Sequence, residues 1–194
     1  MNTQCSTQRL LAAAALSLAL AGLHPTTRAQ ADETIDLTGK TLSVTDAQNG
    51  LFPDDACEDL KAHGFKCMGY KPPVKYSLPA ASFRLGSAEL PATLRNQLDV
   101  FAEALRGKTG NDHAVRIEGH ADASGSAAGN KALSQRRAEA ARTYLVARGV
   151  APGMLKAVGL GSEDLIDQQH PRDATNRRVV IGRDQPPPAP AAQN

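Results

Sequence analysis

Two residues of opposite charge, Asp122 and Arg137, are the residues of this sequence whose types and spacing could form a functional site. A loop of small residues and about two turns of a helical pattern separate them, which can bring the two side chains face to face. A carboxylate can bind an ammonium, and a planar guanidinium forks onto a carboxylate, so the pair fits a zwitterionic amino-acid head group. Taken by itself, the pattern also allows Arg137 to lie on a solvated helix face.

Other residues in the same region could suggest catalysis or metal binding, but each pattern is incomplete. His120 and Asp122 form a His-x-Asp pair without a third ligand at useful spacing. The glycines at 159–161 lack the Lys-Ser or Lys-Thr of a phosphate loop. No Ser or Cys has a base at telling spacing, and Asp122 with Arg137 is a binding pair and not an acid–base pair. We therefore expect no enzyme, no metal and no cofactor.

The elements that must position the pair follow from hydrophobic periodicity. We predict an α+β sandwich in the order β-α-β-α-β-β, with the helices on one face of a mixed sheet. The predicted strands are 82–85, 114–118, 155–159 and 177–181. The first helix has Pro91 in its first turn, buries a stripe of Leu94, Leu98, Phe101 and Leu105, and ends at Gly107 and Gly110. Asn130 is predicted to cap the second helix.

The region around Asp122 also resembles a known family, the OmpA-like C-terminal domain, which associates with peptidoglycan without a covalent bond. The matching positions are Gly119, His120, Asp122, Gly125, Asn130, Leu133, Ser134, Arg137, Ala138 and the later run 176–179. Ala121 stands where the family usually has Thr, and Arg84 where it commonly has Asp. The resemblance covers about residues 78–182.

The resemblance implies a ligand and a set of binding residues. The ligand would be the diaminopimelate of the peptidoglycan stem peptide. Asp122 would take its ammonium and Arg137 its carboxylate, with Asn130 and Arg177 in supporting positions. This implies a protein that binds peptidoglycan and thereby anchors to the cell wall.

The first 31 residues are typical of a secretory signal peptide. Arg9 precedes an apolar stretch from Leu10 to Leu23, and Ala29-Gln30-Ala31 offers a cleavage site after Ala29 or Ala31. The stretch is shorter than the ~20 residues that span a bilayer, although a retained anchor is the alternative. Cys5 precedes the stretch, where it cannot serve as a lipoprotein attachment site. We expect a periplasmic protein, with association to the outer membrane left open.

Charge argues against a nucleic-acid partner. The full chain has 22 basic and 20 acidic residues, and removing residues 1–31 takes away Arg9 and Arg28 but no acid. The mature chain is then balanced at 20 of each, whereas nucleic-acid binding leaves a basic footprint.

Two cysteines, Cys57 and Cys67, remain after the signal peptide. An even pair in an oxidising compartment predicts a disulfide, with two free thiols as the alternative. They lie in a predicted N-terminal lead, residues 32–75, which we expect to be loosely ordered up to residue 50, apart from a short strand at 41–44.

The chain thus divides into a signal peptide, this lead, an OmpA-like domain at 76–183 and a Pro-rich tail at 184–194. We expect a fragment from about residue 75 to 183 to fold alone. The alternative function is an exported adaptor that recruits an envelope protein through residues 32–75 or the tail, with weak or lost wall binding.

Overall fold

The computed structural model of the protein describes residues 33–66, 71–79, 83–84, 86–109 and 113–184. The predicted signal peptide and nearly all of the predicted tail lie outside the described residues. Within them are five strands: β1 (Thr34–Asp36), β2 (Lys75–Pro79), β3 (Val115–His120), β4 (Leu155–Gly161) and β5 (Arg178–Arg183). The α-helices are α1 (Val44–Leu51), α2 (Pro53–Ala62), α3 (Ala92–Leu105) and α4 (Ala127–Ala147), and short 3-10 helices cover Pro152–Met154 and Ala174–Asn176.

The strands form one mixed sheet in the order β1-β2-β5-β3-β4. β5 runs antiparallel to both of its neighbours, while β1 pairs with β2 and β3 with β4 in parallel. From β2 onward the elements follow the predicted order β-α-β-α-β-β. The predicted class, a mixed α+β fold, is confirmed.

The core lies between one face of the sheet and the helices. Val115 and Ile117 of β3 point to this face, since alternate strand residues share a side. The predicted stripe of α3 is fully buried against the sheet and α1, as expected for core packing: Leu94, Leu98, Phe101 and Leu105. Tyr76 of β2 meets Phe101 edge to face, with ring centroids 5.4 Å apart.

Helix α4 lies close against β3 and β4 because glycines face it. A Cβ atom on Gly119 would be 2.1 Å from the backbone oxygen of Ser134, and one on Gly159 would be 2.3 Å from the backbone nitrogen of Gln135. Both obstructing atoms belong to the helix backbone and cannot rotate away. The close approach places the first turns of α4 directly beside the carboxyl ends of β3 and β4.

The first strand of the domain differs from its predicted position. The observed strand is β2. Of the predicted strand 82–85, Phe83 and Arg84 are not in a strand, and Ser82 and Leu85 lie outside the described residues. Long-range pairing determines where β2 lies in the chain, since Leu78 of β2 pairs with Val179 of β5. Phe83 and Arg84, the described residues of the predicted strand, have no such partner strand, so the prediction of a strand there was wrong.

The segment 33–52 is also more ordered than predicted. Instead of a strand at 41–44, it forms β1 and α1, and Ser43 caps α1 by accepting a hydrogen bond from the Asp46 N–H at 3.0 Å. Ala47, Leu51 and Phe52 are buried in the main core. The sequence did not reveal this helix, because its few apolar residues lie in a polar stretch. Its stability comes from tertiary packing.

Helix α2 carries Cys57, which is disulfide-bonded. Its predicted partner, Cys67, lies outside the described residues, so the pairing stays a prediction. Among the described residues, no helix combines the length and apolar character needed to cross a bilayer.

Candidate functional site

Asp122 lies two residues after the end of β3 and is buried. Its Oδ2 accepts a hydrogen bond from Nη1 of Arg177 at 2.7 Å, and its Oδ1 accepts one from the backbone N–H of Ser124 at 2.8 Å. Burial alone would raise the pKa of the Asp122 carboxyl, but these hydrogen bonds and the Arg177 charge hold it below its usual value. Asp122 is therefore an ionised, paired carboxylate.

Sheet topology explains why Arg177 reaches Asp122. Arg177 immediately precedes β5, and β5 pairs antiparallel with β3, so the start of β5 lies beside the end of β3. The short 3-10 helix at 174–176 turns the chain into this position, with Asp173 accepting a hydrogen bond from the Thr175 N–H. The ion partner of Asp122 is thus Arg177, which the family resemblance placed in a supporting position.

Arg137 lies in α4 and is almost completely buried, at 1% exposure. Its Nε donates to the backbone oxygen of Ser87 at 3.0 Å, and its guanidinium carbon lies 4.5 Å from the centroid of the Phe83 ring, a cation–π contact. Within the described part of the chain, its Nη1 has no hydrogen-bond partner. A buried, unpaired donor on a charged group is costly, so the geometry favours an anion at this atom.

The charges around Arg137 agree with its position in the site. Burial and, to a smaller extent, the nearby positive charge of Arg177 lower the pKa of Arg137 to about 10, although the Asp122 charge opposes the shift. Arg137 remains protonated at neutral pH. A bound carboxylate would restore part of the stabilisation that the buried guanidinium lacks.

Asn130 supports the site in a way that sequence reasoning missed. It was predicted to cap α4, but the cap is Ser126, whose side chain accepts a hydrogen bond from the Gly129 N–H. Asn130 lies one turn further and donates from Nδ2 to the backbone oxygen of Asp122 at 3.0 Å. This contact ties α4 to the loop that carries the carboxylate.

Phe83 and Ser87 are site residues that the sequence did not reveal. They lie about 50 residues before Arg137, and no local spacing links them to it. The segment between β2 and α3 brings them over the helix. Arg84, next to Phe83, is exposed, and Ala121 is buried with its N–H donating to the Gly161 backbone oxygen at 2.7 Å.

His120, the other half of the His-x-Asp pair, is fully buried at the end of β3. Its Nδ1 lies 3.8 Å from a carboxylate oxygen of Asp164, and its Nε2 lies 3.9 Å from one of Glu118. Among the described residues, no group of three or more His, Cys, Asp or Glu is placed to hold a metal ion. His120 packs at the strand end, on the opposite side of β3 from Gly119.

Among the described residues, this α+β domain places a buried guanidinium with one unpartnered nitrogen beside a preformed ion pair, an arrangement suited to a small anionic group. The chain belongs to the OmpA family, which matches residues 82–178. This match begins just before Phe83 and ends within β5, so it contains every residue of the site.

Comparison with curated proteins finds relatives named peptidoglycan-associated lipoprotein. The protein from Pseudomonas aeruginosa is 38% identical over 101 residues, which cover 51% of this chain and 58% of that protein. The protein from Mesorhizobium japonicum is 49% identical over 51 residues, covering 26% of this chain and 30% of that protein. The chain thus spans less than two thirds of the length of either relative.

Solved structures include similar domains. The peptidoglycan-associated lipoprotein from Burkholderia pseudomallei matches with a TM-score of 0.44 and 30% identity, covering 52% of this chain and 85% of that one. The OmpA-like domain of FopA1 from Francisella tularensis matches with a TM-score of 0.46 and 25% identity, covering 51% of this chain and 66% of that one.

Proposed function

We propose that this protein binds peptidoglycan non-covalently through the diaminopimelate of the stem peptide and so anchors to the cell wall. The observation that carries the proposal is the buried Nη1 of Arg137, which has no hydrogen-bond partner among the described residues. Membership of the OmpA family and the names of the relatives support a peptidoglycan ligand.

The side chain of diaminopimelate ends in a carboxylate, which suits Arg137. A carboxylate can accept two parallel hydrogen bonds from a guanidinium fork, and Phe83 and Ser87 hold that fork in one orientation. Asp122, Asn130 and Arg177 complete the site around it. An arginine held for an anion, an ion pair and an amide form a binding site, so we assign the protein no catalytic role.

The proposed location is the periplasm. The N-terminal stretch typical of a signal peptide would export the chain, and the ligand lies in that compartment. The family match and the relatives' names agree with a place in the bacterial envelope.

The test is binding of purified sacculi by Arg137→Ala and Arg137→Lys variants of the mature protein. Truncating one side of a buried, hydrogen-bonded charge pair weakens binding by roughly 30-fold or more, and lysine cannot supply the planar fork. Free diaminopimelate should compete with sacculi for the wild type.

The matched control is Arg148→Ala, which removes an exposed arginine from the far end of the same helix and should leave binding unchanged. Circular dichroism must show that each variant is folded. If folded Arg137→Ala sediments with sacculi as well as wild type does, the proposed site is wrong.

A second function, an exported protein-interaction adaptor, is favoured by one surface. Leu60 and Phe65, on and just after α2, are 45% and 64% exposed, although both are large apolar side chains. An envelope protein could dock on them. A pull-down from envelope extract that depends on both residues, with no binding to sacculi, would put this function first.

A further inference from the structure

We infer that His113 is a proton-dependent latch, whose protonated ring holds helix α2 against the rest of the domain at acidic pH and loosens it as the pH rises. The latch consists of Asp55 in the first turn of α2 and His113, which lies just before β3. Neither residue belongs to the proposed peptidoglycan site, so the inference goes beyond the proposed function and does not depend on it.

Charged side chains in its first turn hold α2 to the domain. No described side chain from Pro53 to Ala62 is buried, and residues 58–66 are exposed throughout. Oδ2 of Asp54 accepts a hydrogen bond from Nη1 of Arg183, at the end of β5, at 2.6 Å. Because α2 adds no described side chain to the core, its orientation depends on such polar contacts more than on apolar packing.

Asp55 faces two side chains from the connection between α3 and β3. Lys108 donates to its Oδ2, and Nε2 of His113 lies 3.1 Å from its Oδ1. Burial alone would raise the pKa of the Asp55 carboxyl, but the hydrogen bonds from Lys108 and His113 hold it below its usual value. Asp55 is therefore a carboxylate wherever histidine titrates, and it can only accept hydrogen bonds.

The ring of His113 has a hydrogen-bond acceptor at each nitrogen. Its Nδ1 lies 3.0 Å from the backbone oxygen of Thr109, and its Nε2 faces the Asp55 carboxylate. A neutral imidazole carries one N–H and can donate to only one of these acceptors, whereas an imidazolium donates to both. The Phe52 ring meets the imidazole edge to face, with ring centroids 4.9 Å apart, and packs against it in this orientation. The observed arrangement therefore fits a protonated His113.

The charges around His113 set the direction of the pH effect. Histidine gains or loses its charge between about pH 5 and 8, while aspartate, lysine and arginine side chains keep theirs. At the acidic end of this range, His113 donates to Asp55 and adds a positive charge beside it. As the pH rises, His113 loses one proton, and the lone pair of a ring nitrogen then faces an acceptor. Lys108 and the pair of Asp54 with Arg183 keep their contacts, so α2 loosens without unfolding.

Nuclear magnetic resonance of the oxidised mature chain at about pH 5.5 and about pH 8.5, on either side of the histidine range, tests the latch directly. Long-range proton–nitrogen correlations distinguish an imidazolium ring from the two neutral tautomers. At the lower pH, we expect protons on both ring nitrogens of His113. At the higher pH, we expect one proton to be lost and the residual dipolar couplings of α2 to depart from the alignment that fits the sheet.

Unfolding in urea measures what the latch contributes to stability. At the lower pH, His113→Gln should raise the unfolding equilibrium constant by roughly twofold to fivefold, as for a partly exposed ion pair, and at the higher pH by much less. His63→Gln removes an exposed histidine at the end of the same helix and should have no such effect at either pH. Asp54→Asn, which loses the contact with Arg183, should destabilise the protein equally at both pH values.

Each measurement can overturn the inference. A neutral His113 ring at the lower pH would contradict its protonated state, and α2 couplings that fit the same alignment at both pH values would contradict the loosening of the helix. An equal effect of His113→Gln at both pH values would mean that this side chain only packs. If a variant does not fold, the spectra of the wild type still decide.

Discussion

At the scale of single residues, the contact between Asp122 and Arg177 lies in the proposed binding site and also links two strands of the fold. It joins the end of β3 to the start of β5, and both side chains are largely removed from water. The Ser124 N–H shares the same carboxylate and fixes the loop that follows β3. The Asp122 carboxylate thus orders the loop after β3 and neutralises the charge of the Arg177 guanidinium.

This contact predicts a stability that depends on pH. The pKa of Asp122 is lower in the folded protein, so its contribution is present above the unfolded value of about 3.9 and is lost as the pH falls through the folded value. Asp122→Asn should lower the free energy of unfolding by about 1 to 3 kcal/mol at pH 7, as for other hydrogen bonds to charged groups.

Urea denaturation of wild type and Asp122→Asn at pH 7 and near pH 3 measures this difference. This gap, the difference in the free energy of unfolding between the two proteins, should be smaller at the lower pH, where the wild-type carboxylate begins to protonate. Glu89→Gln, an exposed acid outside the site, should show no comparable gap. An equal gap at both pH values would mean that the charge of Asp122 does not stabilise the fold.

The sequence indicated some site residues and not others, for a physical reason. Asp122, Asn130 and Arg137 lie within one strand–loop–helix unit, where local spacing and a family motif reveal them. The pairing of Arg177 with Asp122 depends on the antiparallel register of β5 on β3, and the contact of Phe83 with Arg137 depends on how a distant segment crosses α4. Neither arrangement is encoded by a local pattern.

At the scale of elements, the packing of α4 on the sheet sets where Arg137 stands. Gly119 permits this packing, since a Cβ atom there would meet the Ser134 backbone oxygen at 2.1 Å. Gly119→Ala should destabilise the protein by about 1 to 3 kcal/mol, the usual cost of overpacking, and should also weaken sacculus binding by shifting α4.

Chemical denaturation and sacculus sedimentation measure the two effects. Gly153→Ala is the matched control, because a Cβ atom on Gly153 would have nothing within 4 Å. If Gly119→Ala matched this control in both assays, the close approach of α4 would not be what positions the site.

The cysteine unit gives a prediction at the same scale. We expect Cys57 to be bonded to Cys67, which by chain entropy would stabilise the unit by about 2 to 3 kcal/mol for so short a loop. Mass spectrometry of protein alkylated without reduction should find no modified thiol in the mature chain. Two alkylated cysteines in the exported protein would contradict the pairing.

Element types were largely predictable, but some positions were not. Helix α3 was predictable from its long apolar stripe, and the predicted burial of that stripe is correct. The first strand of the domain and helix α1 were missed because both are short and owe their stability to distant partners. Leu78 pairs with β5, and Ala47 and Leu51 pack in the main core.

At the scale of the whole molecule, the segment before the family match is part of the same core. The Tyr76 hydroxyl donates to the Asp46 backbone oxygen at 2.8 Å, and the Gln48 side chain donates to the Ala104 backbone oxygen at 3.1 Å. Gly50 lies so close to Tyr76 that a Cβ atom would be 1.9 Å from its hydroxyl oxygen. These contacts join α1 to β2 and α3.

This packing argues against the expectation that residues 75–183 fold alone. Omitting the segment before residue 75 takes Leu51 and Phe52 out of the core, and each buried side chain of this size contributes roughly 1.5 to 3 kcal/mol. Tyr76 would lose part of its cover as well. The total is a large share of the 5 to 15 kcal/mol that typically stabilises a domain of this kind.

We therefore predict that a fragment of residues 75–183 melts far below the mature chain or is unfolded at 25 °C. A fragment of residues 33–184, which keeps every described element, is the matched control and should melt close to the mature chain. Circular dichroism against temperature measures all three proteins under the same oxidising conditions. If the shorter fragment melted with the control, α1 would be an appendage of the domain, and the boundary predicted from the sequence would be correct.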